Sequence, residues 1–491
     1  MGVVFQLQEK SDMTPYDFKT SPYAHQRDAF SESVTKENFA LLMDMGTGKT
    51  KVCIDTIASR FECGAINFAL IVAPKGVIAN WKGEIEAHLP DRIEREIVLW
   101  NPNLTKAKRQ ELLDLYDAGG KLKFLLMNVE SFSTKKGVEV AEFFVKKFNV
   151  LMAVDESTTI KNRQAKRTKA ICDVGRDARM RRILTGSPVT KSPMDLYSQM
   201  DFLSPKILGF KSYYAFQNRY AVVQRRTMGS HSFNHIVGFR RLDELTEKLH
   251  DSSYRVRKED CLDLPDKVYM KREVALTKEQ VDAYNQMKHL ALARLESGEL
   301  ATTQNALTQI MRLQQICLGH LKDDNDVTHE IKSNRIDALM EICDEIQGSV
   351  IIWATWTRDI RLITKALQDR FGVQAVESLY GGTPDPDRQR IVETFQDPAS
   401  KLRFIVGHPK TGGYGLTLTA ANTVIYFSNG YDLELRLQSE DRAHRIGQTN
   451  KVTYVDLISP KTIDEKIVDA LRNKIKIADT ILGEDARDWL S

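Results

Sequence analysis

The chain has little that would tie it to an oxidising compartment or a membrane. Its six cysteines, at positions 53, 63, 172, 261, 317 and 343, contain no C-x-x-C pair and no zinc-type spacing. They therefore read as reduced, buried or incidental thiols of a cytosolic protein, not as a disulfide framework. The opening MGVVFQLQEKSD lacks the basic start and long apolar core of a secretory signal. No apolar run approaches the roughly 20 residues that a membrane-spanning helix needs. Charge of one sign is scarce as well: 70 Lys and Arg stand against 66 Asp and Glu, a formal net of +4. That balance permits a nucleic-acid partner without arguing for one, because any basic footprint has to be local. Low-complexity segments and short-period repeats are also missing, which excludes tandem arrays.

What is present suits a globular chain of several domains. Hydrophobic residues make up 42% and charged residues 28% of 491 positions, and at roughly 150 residues per domain the length allows about two to four domains. Short apolar runs alternate with amphipathic stretches in two regions. ALLMD (40–44), FALIVAP (68–74), KFLLMN (123–128), VLMAVDE (150–156) and RRILTGS (181–187) form the first set of expected strands. VIIWAT (350–355), FGVQAVES (371–378), RFIVGH (403–408), TVIYFS (423–428) and VTYVDLI (452–458) form the second. Such near-continuous hydrophobicity fits parallel sheets covered on both faces. The expected fold is α/β: a first lobe over 1–205, a helical insertion and linker over 206–330, a second lobe over 331–480 and a tail over 481–491. The linker contains TKEQVDAYNQMKHLALARLESGEL, a helical pattern with few breakers.

MDMGTGKT (43–50) follows an expected strand and opens an expected helix. Gly46 and Gly48, flanking Thr47, let the backbone wrap a phosphate, and the helix N-terminus adds positive potential. Lys49 would reach the β- and γ-phosphates, and Thr50 would place its hydroxyl on Mg²⁺. The full pattern wants glycine where Met43 stands. Asp155, ending a buried strand, would hold the metal through water, and Glu156 beside it would polarise the attacking water. LTGSP (184–188) supplies Thr185 and Ser187 as a relay, the alternative being an ordinary strand exit. QSEDRAHRIGQ (438–448) repeats Gln438, Arg442 and Arg445 along one stripe if helical, with Gly447 as the helix stop. By its own composition, taken alone, it reads as a solvated face.

The order of these motifs resembles a known family. YAHQRDAF (23–30), MDMGTGKT, IVAPKGVIANWKGEIEAHL (71–89), VDESTTIKN (154–162) and LTGSPVTKSP (184–193) look like helicase superfamily two. LYGGTPDPDRQRIVETF (379–395), TGGYGLTLTAANTVIYF (411–427) and QSEDRAHRIGQ resemble its Swi/Snf-type (sucrose-nonfermenting) branch, and so do YRVRKEDCLDLPDK (254–267) and LQQICLGH (313–320). The resemblance covers roughly residues 20 to 475. It implies two RecA-like lobes that hydrolyse ATP with Mg²⁺ at the interlobe cleft while moving along duplex or branched DNA. It also implies roles: Gln26 recognising adenine, Gly415 closing the site from the second lobe, Arg442 and Arg445 as arginine fingers, and Gln438 orienting them. Nucleic acid would meet Lys75, Asn128, Lys161, Trp356, Lys410 and Thr411, largely through phosphates and without sequence specificity. Trp81 reads as a core residue, and RYAVVQRR (219–226) as a further grip or an insertion surface.

The sequence departs from the branch where Ser157 and Thr158 end the second motif in place of the usual AH or GH. With no chromatin-reading, nuclease or zinc module recognised, the expectation is a compact bacterial or phage-type monomeric motor in the cytoplasm of a bacterial or phage-infected cell. Replication, recombination or phage–host proteins would be its partners. Two other readings stand beside it. One is an RNA-directed helicase, against which HRIGQ stands where RNA members carry HRxGRxxR. The other is a nucleotide-gated binding module of a larger complex that does not hydrolyse ATP.

Overall fold

A computed structural model describes residues 16–468 and 471, apart from 104, 118, 190–191, 229–230, 262–264, 297–302, 324, 326, 413–415 and 431. The expected tail at 481–491 and Gly415 lie outside the described residues. Two compact units divide the chain. Residues up to Asp44 with Gly48–Pro188 and Pro193–Arg257 form the first, and Met45–Thr47, Val189–Ser192 and residues from Lys258 onward form the second.

In the first unit the expected runs become strands: β1 (Asn38–Met43), β2 (Phe68–Ala73), β4 (Leu122–Asn128), β5 (Val150–Asp155) and β6 (Met180–Leu184). Two were not anticipated, β3 (Arg95–Leu99) and β9 (Ser253–Val256). Between β6 and β9 the chain forms a separate antiparallel hairpin of β7 (Ala221–Met228) and β8 (His231–Phe239). The sheet runs β3-β4-β2-β5-β6-β1-β9, with every pairing parallel. Every residue of β2 and β5 is buried, as a doubly covered parallel sheet requires.

The second unit repeats the design. Strands β10 (Lys267–Glu273), β13 (Ser349–Trp353), β14 (Val376–Leu379), β15 (Phe404–Gly407), β16 (Ala421–Tyr426) and β17 (Val452–Ile458) align in the order β10-β17-β16-β13-β15-β14, again parallel throughout. A short antiparallel pair, β11 (His320–Lys322) and β12 (Thr328–Glu330), stands apart from it. Cores lie on both faces of the sheet. Val350, Ile352 and Phe404 belong to one, and Ile351, Trp353 and Ile405 to the other, as alternation along each strand demands.

Two expectations need correction. FGVQAVES gives a strand only from Val376, because the helix Thr357–Phe371 claims its first residue and Gly372, at φ +93°, breaks the chain direction. The stretch 206–330 is not helical throughout. It holds the long helices Lys278–Glu296 and Thr303–Cys317, but also β7 to β12, with β9 and β10 adding edge strands to the two large sheets. Edge strands need apolar residues on at most one face, so β10, reading KVYMKRE and exposed over six of its seven residues, carries no apolar run to announce it.

Candidate nucleotide site

Parallel strands deliver their loops to one edge of a sheet, and in the first unit β5, β6 and β1 are neighbours. Their carboxyl ends therefore bring Asp155 and Glu156, Thr185, and the glycine loop together, the usual crevice of an open α/β sheet. Gly48 caps the helix Lys49–Glu62 at φ +88°, a left-handed conformation that glycine adopts without cost. A Cβ there would also collide with Gln26 Nε2. Gln26 is thus packed directly on the loop, and its Oε1 accepts from the Tyr23 backbone N–H at 3.1 Å.

Lys49 Nζ lies 3.8 Å from Glu156 Oε1, each side chain about nine-tenths buried. Asp155 Oδ2 accepts from the Trp81 indole N–H at 2.9 Å, and Oδ1 accepts from the Glu156 backbone N–H at 2.9 Å. Burial raises the Asp155 carboxyl above the usual aspartate range, against the pull of Lys49 and of those two N–H donors. Glu156 sits at φ +49° and ψ +59°, a backbone state costing on the order of 1–2 kcal/mol for a residue with a Cβ. The turn leaves the Glu156 carboxylate beside Lys49. Thr50 is half-buried at the first turn of the helix.

The departure at Ser157 and Thr158 has a structural consequence. Both are buried. Ser157 Oγ donates to Gln199 Oε1 at 2.7 Å, while Gln199 Nε2 donates to the Pro188 and Asp195 carbonyls at 2.7 and 2.8 Å. The residue after the acidic pair is thereby joined to the end of LTGSP. Within that segment Thr185 is buried, its Oγ1 accepting from the Ser187 N–H at 3.2 Å and its own N–H bonding the Leu41 carbonyl.

In the second unit QSEDRAHRIGQ is not one helix. The helix Leu433–Glu440 stops at Glu440, so only Gln438 of the three expected stripe residues is helical. Tertiary bonds override the helical spacing. Leu418 N–H bonds the Arg442 carbonyl, and Gln448 Nε2 lies 3.0 Å from the carbonyls of Thr419, Ala421 and Ala443. The arginines still converge by another route: Arg442 Nη1 and Arg445 Nη1 both donate to the Leu416 carbonyl, at 3.3 and 3.4 Å. Gln438 is fully buried, its Nε2 donating to Glu434 Oε1.

The acidic residues beside them belong to an ionic cluster within this unit. Glu440 accepts from Arg436, Tyr269 and Lys267, Asp456 from Arg436, and Asp441 from Lys258. Burial would raise the carboxyls of Glu440 and Asp441. Lys267 and Arg436 for the first, and Lys258 and Lys267 for the second, outweigh it and hold both below the usual range.

The expected nucleic-acid contacts are scattered at strand ends. Lys75 is exposed at the start of the helix Lys75–His88, and Lys161 is half-buried. Asn128 has a local task, its Oδ1 capping the Ser131 N–H at 2.8 Å and accepting from the Ser131 hydroxyl at 2.7 Å. Trp356 is half-buried with its ring nearly perpendicular to that of His320, centroids 5.9 Å apart, and Lys410 is exposed after β15. Nothing is described of the Thr411 side chain. Near Trp356 and Lys410, the carboxyl ends of β13, β15 and β16 open a crevice lined by Thr355, His408, Ser428 and Asn429.

Sequence reasoning missed two partners, the Trp81 indole and Gln199. Trp81 is core as expected, 1% exposed, yet a buried indole N–H normally needs an acceptor, and that requirement was the available signal. Gln199 gave none, because its role depends on two backbone carbonyls.

The donor set fits a magnesium ion. Asp155 is a desolvated carboxylate whose charge Lys49 only partly offsets, and Thr50 is a hydroxyl on the same side of the sheet. Among the described residues no cluster of three His, Cys, Asp or Glu side chains could hold a metal by itself, so an ion here would share its ligands with the nucleotide and water.

A family model described as the SNF2-related domain matches residues 25–320, and one described as the helicase conserved C-terminal domain matches residues 334–447. An uncharacterised ATP-dependent helicase of Mycoplasma genitalium is 27% identical over 455 residues, 91% of this chain and 40% of that protein. A Bacillus subtilis protein under the working name of ATP-dependent helicase/translocase is 27% identical over 462 residues, 91% of this chain and 46% of that protein. The chain thus spans less than half the length of the curated relatives it matches. Among solved structures, the Sulfolobus solfataricus SWI2/SNF2 ATPase core in complex with double-stranded DNA is 25% identical, with 98% of this chain and 96% of that one covered at a TM-score of 0.42.

Proposed function

The chain belongs to the SNF2-related domain family, and from that premise we propose that it is an ATP-hydrolysing motor that moves along duplex or branched DNA without reading its sequence. The observation that carries the reading is the cluster of Lys49, Asp155 and Glu156 at the carboxyl edge of the first sheet, with Lys49 Nζ 3.8 Å from Glu156 Oε1.

In this reading the glycine loop and Lys49 bind the β- and γ-phosphates, while Gln26 recognises the adenine. Thr50 and Asp155 hold the magnesium ion, which when bound neutralises charge on the phosphates. Glu156, its carboxylate beside Lys49, takes up the proton of the attacking water. Arg442 and Arg445 supply positive charge as the γ-phosphate leaves, with Gln438 ordering that segment and Gly415 contributing from the same unit. Thr185 and Ser187 carry the nucleotide state onward. Phosphates of the nucleic acid meet Lys75, Lys161, Lys410 and Thr411, with Asn128 and Trp356 beside them. Phosphate contacts carry no sequence information, so binding is general and falls steeply with salt.

The test is ATP turnover with duplex DNA, single-stranded DNA or RNA as activator. Duplex DNA should stimulate most, and displacement of a third strand from a DNA triplex should require ATP. Equal stimulation by RNA would overturn the choice of substrate, and an absence of turnover under every condition would favour a nucleotide-gated binding module.

A further inference from the structure

The basic charge of this chain is concentrated in one place. Between Asp201 and Asp243 there are seven Lys and Arg residues and no Asp or Glu. That segment carries +7 in a chain whose net charge is +4, leaving −3 for the rest. Its centre is the two-stranded hairpin of β7 and β8, which pairs with no other strand among the described residues. Eight paired positions, Ala221↔Phe239 to Met228↔His231 with one irregularity at Val222/Val223, make a ribbon about 27 Å long at 3.4 Å per residue.

The foot of the ribbon is anchored. Tyr220 is fully buried and donates to Glu244 Oε1 at 3.0 Å, Arg219 pairs with the same carboxylate, and Arg240 N–H closes on the Tyr220 carbonyl at 2.8 Å. Glu244, the first acid beyond Asp243, is therefore consumed at the foot. Farther out, Arg225 is exposed, and Arg225 and Arg226 stand three and two positions from the last residue of β7.

A second basic stretch adjoins this one. From Ser157 to Cys172 the chain holds five Lys and Arg residues and again no acid. Arg163 from that stretch lies over the rings of Tyr213 and Tyr214, at 4.2 and 5.2 Å, on the helix Tyr213–Tyr220 that leads directly into β7. Tyr214 is 64% exposed. The surface containing Lys161 therefore continues to the foot of the ribbon.

We infer that the ribbon of β7 and β8 is a duplex-DNA-binding arm that reaches the sugar-phosphate backbone beyond the strand ends of the first unit, with the exposed Arg225 as a phosphate contact. A two-stranded ribbon fits a B-form major groove about 12 Å wide, and an acid-free stretch of this charge complements phosphate. The inference rests on the DNA-motor reading above and adds to it a contact surface outside the motifs that the family resemblance supplied.

The experiment is duplex-DNA affinity measured by fluorescence anisotropy across a salt series, on the full chain and on R225Q/R226Q, with the melting temperature as the check on folding. Each lost phosphate contact lowers the slope of log K against log salt by about 0.9. The double variant removes both arginines of the ribbon and should therefore show a slope shallower by at least about 0.9, with affinity reduced alike for unrelated sequences. A second variant, R225K/R226K, should keep the wild-type slope. If wild type binds with steep salt dependence and R225Q/R226Q keeps the same slope, the ribbon does not touch DNA and the inference falls alone. If wild type binds no duplex DNA, the motor reading and the ribbon fall together.

Discussion

Two groups of buried carboxylates, one in each unit, answer burial in opposite ways. Asp155 is raised above its usual range, because desolvation exceeds what Lys49, the Trp81 indole and one backbone N–H return. Glu440 and Asp441 are lowered, because Lys267, Arg436 and Lys258 surround them. A carboxylate with its cations already in place is structural. One raised at the end of a central strand suits a cation that arrives with a ligand, where a phosphate loop lies beside it. Burial also raises Asp55, Asp201 and Asp359, so what sets Asp155 apart is its place at the end of a central strand, next to Glu156 and close to Lys49.

The largest effect expected from breaking this contrast lies at Arg445. Arg445→Ala should leave ATP affinity nearly intact while cutting turnover by about 10³-fold or more, as loss of an arginine finger does. Equilibrium binding of a fluorescent ATP analogue and steady-state turnover separate the two effects. A collapse in affinity with turnover per bound ATP preserved would make Arg445 a binding contact instead.

Glu440→Gln should act on stability. Removing one partner of an isolated buried pair costs about 3–5 kcal/mol, an upper bound here because Arg436 keeps Asp456 and Lys267 keeps Asp441. Arg436 and Lys267 would both lose their shared carboxylate, and the thermal melt should shift down accordingly. An unchanged melting curve would mean that the cluster is not what secures the second sheet.

A smaller and more specific effect is expected at Ser157 and Gln199. Ser157→Ala strands a buried amide oxygen, at about 1–3 kcal/mol, while Gln199→Leu should cost more because it also strands the Pro188 and Asp195 carbonyls. The double variant should lose less than the sum, since the bond the two share is lost only once. A double-mutant cycle read on stability and on DNA stimulation of turnover checks this. Additive losses would show that the two side chains act independently.

Much of this organisation was legible in the sequence because its central strands are buried on both faces. FALIVAP and VLMAVDE could hardly be anything but core strands, and MDMGTGKT between a strand and a helix marks the phosphate loop. Strands at or near the sheet edges escaped for the opposite reason: REIVL, SYRV and KVYMKRE mix charge with apolar residues because part of each stays outside the core. The helix end at Glu440 escaped because nothing local breaks QSEDRAHRIGQ before Gly447. Carbonyls held by Gln448 and the ionic cluster around Glu440 redirect the chain there, and both depend on residues distant in sequence. Gly415 and Thr411, expected to serve the nucleotide and the nucleic acid, remain proposals from resemblance.

The central claim is that the acidic pair Asp155 and Glu156 at the end of β5 is where ATP is hydrolysed. It is tested most directly by ATP turnover of Glu156→Gln in the presence of duplex DNA, against wild type and with nucleotide binding measured in parallel. Turnover should fall by about 10²–10⁴-fold, the contribution of a positioned general base, with ATP still bound. Turnover retained at the wild-type rate would contradict the account and move the hydrolytic site elsewhere.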